Sequence, residues 1–196
     1  MPVDPHLLLA FLVTTAVAMV TPGPDMLFIL GCGMRGGPKA GLLATAGVAT
    51  SEAIHVGVAA AGLAALFAAV PVAFTVVRIA GAAYLIYLGI QAIRKRKPLV
   101  ERKSDRAYLS GLLTNLLNPK MVTFTIAFLP QFVDPARGHV WLQFAVLGAI
   151  MIVFEFLVDG TVGVLAGWVR REKNQRRIEV TTGGIFIGLG VKLALD

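Results

Sequence analysis

The stretch TPGPD, Thr21 to Asp25, interrupts an apolar run that extends from residue 6 to about residue 34. Proline at 22 and at 24 removes two backbone donors and releases the carbonyls of Ala18 and Val20 from their helical partners. Backbone groups left open in hydrocarbon are costly, so such a break persists only against protein or a wet cavity. An ionisable residue, Asp25, closes the break. A second apolar run, near 108–132, carries a matching interruption at Asn118-Pro119-Lys120, with Asn115 one turn earlier. Two broken helices at corresponding places point to a binding site near the bilayer midplane.

The rest of the composition says what solvent surrounds these breaks. Of 196 residues, 57% are apolar and only 15% are charged, most of them in two short clusters. Mean hydropathy is +0.78. So little polar material cannot cover a globule in water, and the chain reads as an all-α integral membrane protein. The single cysteine, Cys32, excludes a disulfide framework or a multi-cysteine metal site and reads as a small buried apolar residue. The net charge of +7 would suit nucleic acid, but the basic residues flank apolar spans, so no nucleic-acid partner is expected. The opening MPVDPHLLL has no basic residue before its apolar run, unlike a cleaved signal peptide.

Since a helix needs ~20 residues to cross a ~30 Å hydrocarbon core, six spans are predicted, at about 6–34, 39–69, 71–94, 108–132, 140–169 and 178–195. Gly36-Gly37-Pro38 and the segment from Asp134-Pro135 to Gly138 are predicted turns. Fourteen Lys and Arg fall on the side holding the 1–2, 3–4 and 5–6 connections, against Arg137 and Lys192 on the other. That asymmetry places the basic linker 94–107 in the cytoplasm and both termini outside. YLIYLGIQAI (84–93) aligns with IFIGLGVKLA (185–194), and Pro24-Asp25-Met26 with Pro119-Lys120-Met121. A single transmembrane domain, 1–196, thus divides into three-helix repeats at 1–93 and 108–196. An odd number of spans per repeat threads them in opposite directions, a 3+3 inverted-topology plan.

Asp25 and Lys120 are charges at depth and need either each other or a ligand. As an ion pair they would pin the two halves together. As a lined cavity they would suit a zwitterion, its ammonium on Asp25 and its carboxylate on Lys120 and on helix N-terminal amides. Asp25 could also take up a proton. Glu52 and His55 share one helix face, as do Glu155 and Asp159. The acids are candidates for coupling or, for Glu155 and Asp159, for docking helices; His55 reads as a hydrogen-bonded core residue. Arg78 either pairs with an acid or snorkels. Gly163/Gly167, Gly184/Gly188 and the row Gly57, Ala61, Ala65, Ala69 are small-residue packing faces. Trp141 and Trp168 bracket the fifth span as interface anchors.

The same residues resemble the LysE/RhtB family of amino-acid exporters along almost the whole chain. TPGPD at 21–25 looks like its first-helix motif, and LLNPKMVTFTIAFLPQF at 116–132 is similar to its most distinctive stretch. GAAYLIYLG (81–89) and GGIFIGLGVKLAL (183–195) resemble its third and last helices. Thr123-Phe124-Thr125 departs from the paired phenylalanines often found there, which bears on substrate size or polarity. The resemblance implies a bacterial inner-membrane exporter of amino acids or close derivatives, driven by proton antiport, without cofactor, and compatible with a homodimer. It singles out Asp25, Asn118, Pro119 and Lys120; Pro22, Pro24, Asn115, Glu52, Glu155 and Asp159 complete the expected binding and coupling set.

Two other functions remain in view. A cation exporter could use the oxygens of Asp25, Glu52, Glu155 and Asp159, although Lys120 beside them opposes a metal. Paired acids could also serve an intramembrane enzyme, but no Ser-His pattern, H-E-x-x-H or cofactor fingerprint is present. No enzymatic activity is expected.

Overall fold

The structure is a computed structural model that describes residues 2–20, 22–63 and 105–169, with scattered helical positions at 79–90 and 180–195. The rest of the third and sixth predicted spans, Arg78 and most of the basic linker lie outside the described residues. Every regular element among those described is helical. In chain order they are α1 (Pro5–Val20), α2 (Pro24–Gly36), α3 (Pro38–Val58), a π-helical turn (Ala59–Leu63), α4 (Asp105–Leu116), α5 (Pro119–Thr123) and α6 (Val140–Val169). Between α5 and α6 run a π-helical turn (Phe124–Phe128) and two 3₁₀ turns (Leu129–Phe132 and Pro135–Arg137).

Two helical stretches, Pro38–Ala61 and Val140–Val169, are long and apolar enough to cross a membrane, and α1 with α2 makes a third if the bent pair is one span. Helix α6, at 30 residues, would be ~45 Å long, which exceeds the hydrocarbon core and leaves both ends at the interfaces. Trp141 and Trp168 stand exposed at those ends, as interface anchors do.

The burial pattern differs from that of a soluble domain. Leu9, Val13 and Val17 are exposed along one face of α1, and Val153, Leu157 and Leu165 along α6. The interior holds Asp25, Glu52, Asn115, Glu155 and Asp159 beside its apolar clusters. Large apolar surface outside and polar groups inside fit a chain whose solvent is lipid. Hydroxyls are satisfied locally, as when Thr45 and Thr50 of α3 donate to the carbonyls of Gly41 and Ala46. Tyr108 of α4 donates to Thr50 Oγ1 at 2.9 Å across the α3–α4 contact.

Close backbone approach sets the packing. A Cβ on Gly47 would sit 2.0 Å from the Tyr108 carbonyl oxygen, and one on Gly111 2.3 Å from that of Ala44, so α3 and α4 meet at glycines. Helix α6 meets α2 and α3 the same way at Gly163 and Gly167, against Gly33, Gly41 and Pro38. The predicted Gly163/Gly167 face is therefore a real contact surface. Gly57, Gly184 and Gly188 have no such neighbour among the described residues.

The two breaks follow from local chemistry. A residue before proline is pushed out of the α region. Gly23 and Asn118 both adopt extended backbone, and Pro24 and Pro119 each open the next helix, where a missing N–H costs nothing. Helices α1 and α2 meet at 52°.

The fourth predicted span, 108–132, requires a correction. Beyond α5 it is not regular α-helix: the Leu129 N–H bonds to the Phe124 carbonyl, a π-type bond, before the chain tightens into the 3₁₀ turn. Pro130 supplies the reason, since its ring excludes the carbonyl four residues back and it donates no N–H. The second span also loosens earlier than expected, at Ala59–Leu63. Both wide turns border one apolar cluster that includes Phe11, Phe124, Phe132 and Met151.

Candidate functional site

Asp25, in the first turn of α2, is 1% exposed. Its Oδ2 accepts from Asn118 Nδ2 at 2.9 Å and from Asn115 Nδ2 at 3.3 Å, while Oδ1 accepts from the Met26 N–H at 3.0 Å. The break in the first apolar run and the break in the fourth are thus joined through one carboxylate. Asn118 also caps α5, its Oδ1 accepting from the Lys120 N–H at 3.1 Å. The position a Cβ would take on Gly23 lies 2.6 Å from Asp25 Oδ1 and 3.5 Å from Lys120 Nζ. Asp25 and Lys120 therefore flank the same glycine, as a site with both signs of charge requires.

Two details amend the sequence reading. The N-terminal amides of Met26 and Lys120, expected to be open to a substrate carboxylate, are already occupied by Asp25 and Asn118. Of the prolines, Pro119 is buried, Pro24 is half-buried and Pro22 is exposed, so Pro22 shapes the bend without lining the interior. Gly23, absent from the expected set, is buried between the two charged side chains. A glycine wedged between two prolines was the available signal, because only a residue without Cβ leaves room there.

Glu52 of α3 and Glu155 of α6 face each other within hydrogen-bonding reach, with Asp159, Asp25 and Lys120 close enough to interact electrostatically. Among the described residues, neither oxygen of Glu52 receives an N–H or O–H donor, nor does Glu155 Oε2 or Asp159 Oδ2. His55, one turn from Glu52, is buried and interacts with the backbone of Leu116, as a core histidine would. Among the described residues no group of three or more His, Cys, Asp or Glu is arranged to hold a metal ion.

A polar core joining several helices, clad in apolar side chains, is the build of a small membrane carrier, and comparison with known proteins places it. The profile of the LysE type translocators matches residues 16–196. The chain belongs to the LysE type translocator family. This translocator is 35% identical over 201 residues to an uncharacterized membrane protein of Vibrio cholerae, covering 97% of this chain and 98% of that one. It is 30% identical over 195 residues to the homoserine/homoserine lactone efflux protein of Salmonella typhimurium, covering 94% of each. An uncharacterized membrane protein of Bacillus subtilis, YrhP, is 30% identical over 211 residues, with 97% of this chain and all of the relative covered. No solved structure matches the translocator.

Proposed function

We propose that this translocator exports a small amino acid or close derivative across a bacterial inner membrane in exchange for protons, from a site where its two helix breaks meet. The observation that carries the reading is the joining of those breaks by Asp25, Asn115 and Asn118, with Lys120 beside them. A zwitterion needs an anion for its ammonium and a cation for its carboxylate within one small molecule's reach, and Asp25 and Lys120 supply them. Family membership and the efflux proteins of Salmonella supply the substrate class, and homoserine is the first compound to try. The proposed frame is six spans in a 3+3 inverted repeat with both termini outside, resting on the basic residues gathered in alternate connections.

The cation-exporter alternative has less support, because Lys120 acts on all three acids Glu52, Glu155 and Asp159 and would oppose a metal among them. The deciding experiment loads purified full-length protein into vesicles and follows labelled homoserine, threonine, leucine and lysine under an imposed pH gradient. Accumulation of at least one, abolished by collapsing the gradient, is the expected result. No transport of any of them by protein that is folded and inserted would dismiss the assignment. Accumulation that persists without the gradient would remove the proton and leave the substrate.

A further inference from the structure

Asp25 was the sequence's candidate for the coupling proton, but its two oxygens are already occupied. Three donors converge on them, from Asn115, Asn118 and the Met26 amide. The Glu52–Glu155 pair has the contrary environment. It joins α3 to α6, Glu52 has no exposed surface, and among the described residues no N–H or O–H donor reaches either of its oxygens. Two carboxylates facing each other away from water repel strongly, whereas a single proton between them turns the repulsion into a hydrogen bond.

A second observation shows where a cation would enter. Asn115 spends its amide N–H on Asp25, yet its side-chain oxygen has no donor among the described residues although the residue has no exposed surface. That oxygen offers an ammonium group an acceptor beside the Asp25 carboxyl. The groups that act on the pair are Asp25 of α2, Lys120 of α5 and Asp159 of α6; His55 lies one turn from Glu52 on α3.

We infer that the Glu52–Glu155 pair, rather than Asp25, holds the proton exchanged for substrate, and that the substrate's ammonium at Asp25 and the Asn115 oxygen expels it. This rests on the proton-exchange reading above. On the cytoplasmic side the incoming ammonium stabilises a second negative charge nearby; the O–H bond of the shared proton breaks, both carboxyls are ionised and the proton leaves to water. On the outer side a proton re-forms that bond, the second negative charge disappears and the ammonium is released. The ammonium takes the place of the departing proton's positive charge and Lys120 meets the carboxylate, so the site's net charge falls by one as the zwitterion enters and is restored when the proton returns.

The test uses full-length protein in proteoliposomes with labelled homoserine, reading gradient-driven accumulation and substrate-for-substrate exchange side by side. Wild type is expected to show both, with exchange that varies with pH. Glu52→Gln and Glu155→Gln should lose gradient-driven accumulation at least tenfold, while exchange survives and its pH profile flattens. Asp25→Asn should lose exchange as well, since it damages binding. Gradient-driven accumulation by both glutamine variants would overturn the inference, as would an Asp25→Asn protein that exchanges but cannot be driven. A wild type that exchanges homoserine but ignores the pH gradient removes the proton-exchange reading itself. If the glutamine variants fail to insert, infrared difference spectra of the wild type decide: homoserine should remove a protonated-carboxyl C=O band, and an unchanged band sinks the proposal.

Discussion

Asn118 performs two tasks with one amide, donating to Asp25 and accepting from the Lys120 N–H. The two can be separated by substitution. Asn118→Asp keeps an oxygen to cap α5 but sets a carboxylate against Asp25. Efflux should fall more than tenfold, from losing a charge-assisted hydrogen bond worth ~1.5–3 kcal/mol, and the assay is vesicle transport at matched protein level. Asn118→Ala loses the cap too, which costs about 1 kcal/mol and should show as a lower melting temperature in detergent. Gly23 tests space rather than conformation. Its extended backbone (φ −120°, ψ −179°) suits any residue, but an added Cβ would lie 2.6 Å from Asp25 Oδ1 and 3.4 Å from Lys120 Cδ. Gly23→Ala should therefore insert normally and lose most transport, read as a drop in export with unchanged membrane abundance.

Among the elements, the glycines divide into those that must be glycine and those that need not be. A Cβ on Gly33 would come within 2.1 Å of the Gly163 carbonyl oxygen, and backbone cannot step aside as a side chain can. Gly33→Ala should destabilise by about 1–3 kcal/mol through overpacking. Gly57, in the last turn of α3, has nothing within 4 Å of its added Cβ among the described residues. Gly57→Ala should be neutral or stabilising by up to ~1 kcal/mol, because glycine inside a helix is costly. Detergent melting curves for the two variants, run together, check the contrast. The long apolar periodicity of α6 made that element readable to its ends, since 140–169 was expected and Val140–Val169 is found. The wide turns at Ala59–Leu63 and Phe124–Phe128 escaped the reading because they leave no signature in apolar spacing. Pro130 alone hinted at the second.

Across the whole molecule, the start of α1 is tied to the turn that leads into α6. Arg137 pairs with Asp4 and lies 3.6 Å from Asp134, while buried Gln143 accepts from the Asp134 N–H and donates to the carbonyls of Asp134 and Gly138. The His6 N–H, capping α1, and the Arg137 guanidinium hold the Asp4 carboxyl below its ordinary value of 3.8. A group depressed in the folded state adds stability that is full above its unfolded pKa and is lost as pH falls through its folded pKa. Asp4→Asn should therefore lower the melting temperature at neutral pH. The gap from wild type should close as pH drops below the ordinary aspartate range, and melting curves across that range provide the check.

Composition and the two proline breaks were enough to say that this chain lives in lipid, is helical, and places Asp25, Asn118 and Lys120 at breaks in its apolar runs. They suffice because a bilayer tolerates few backbone forms and few charges, so departures from an apolar helix stand out in one dimension. Which side chains meet was decided only in three dimensions. Asp25 and Asn118 are 93 positions apart, and nothing in their spacing says that one supplies the other's donors. Nor could spacing reveal that Glu52 and Glu155 face each other, Glu52 without a donor among the described residues, while Asp25 has three. The state of a buried acid depends on the groups packed around it, and those arrive from helices far away along the chain.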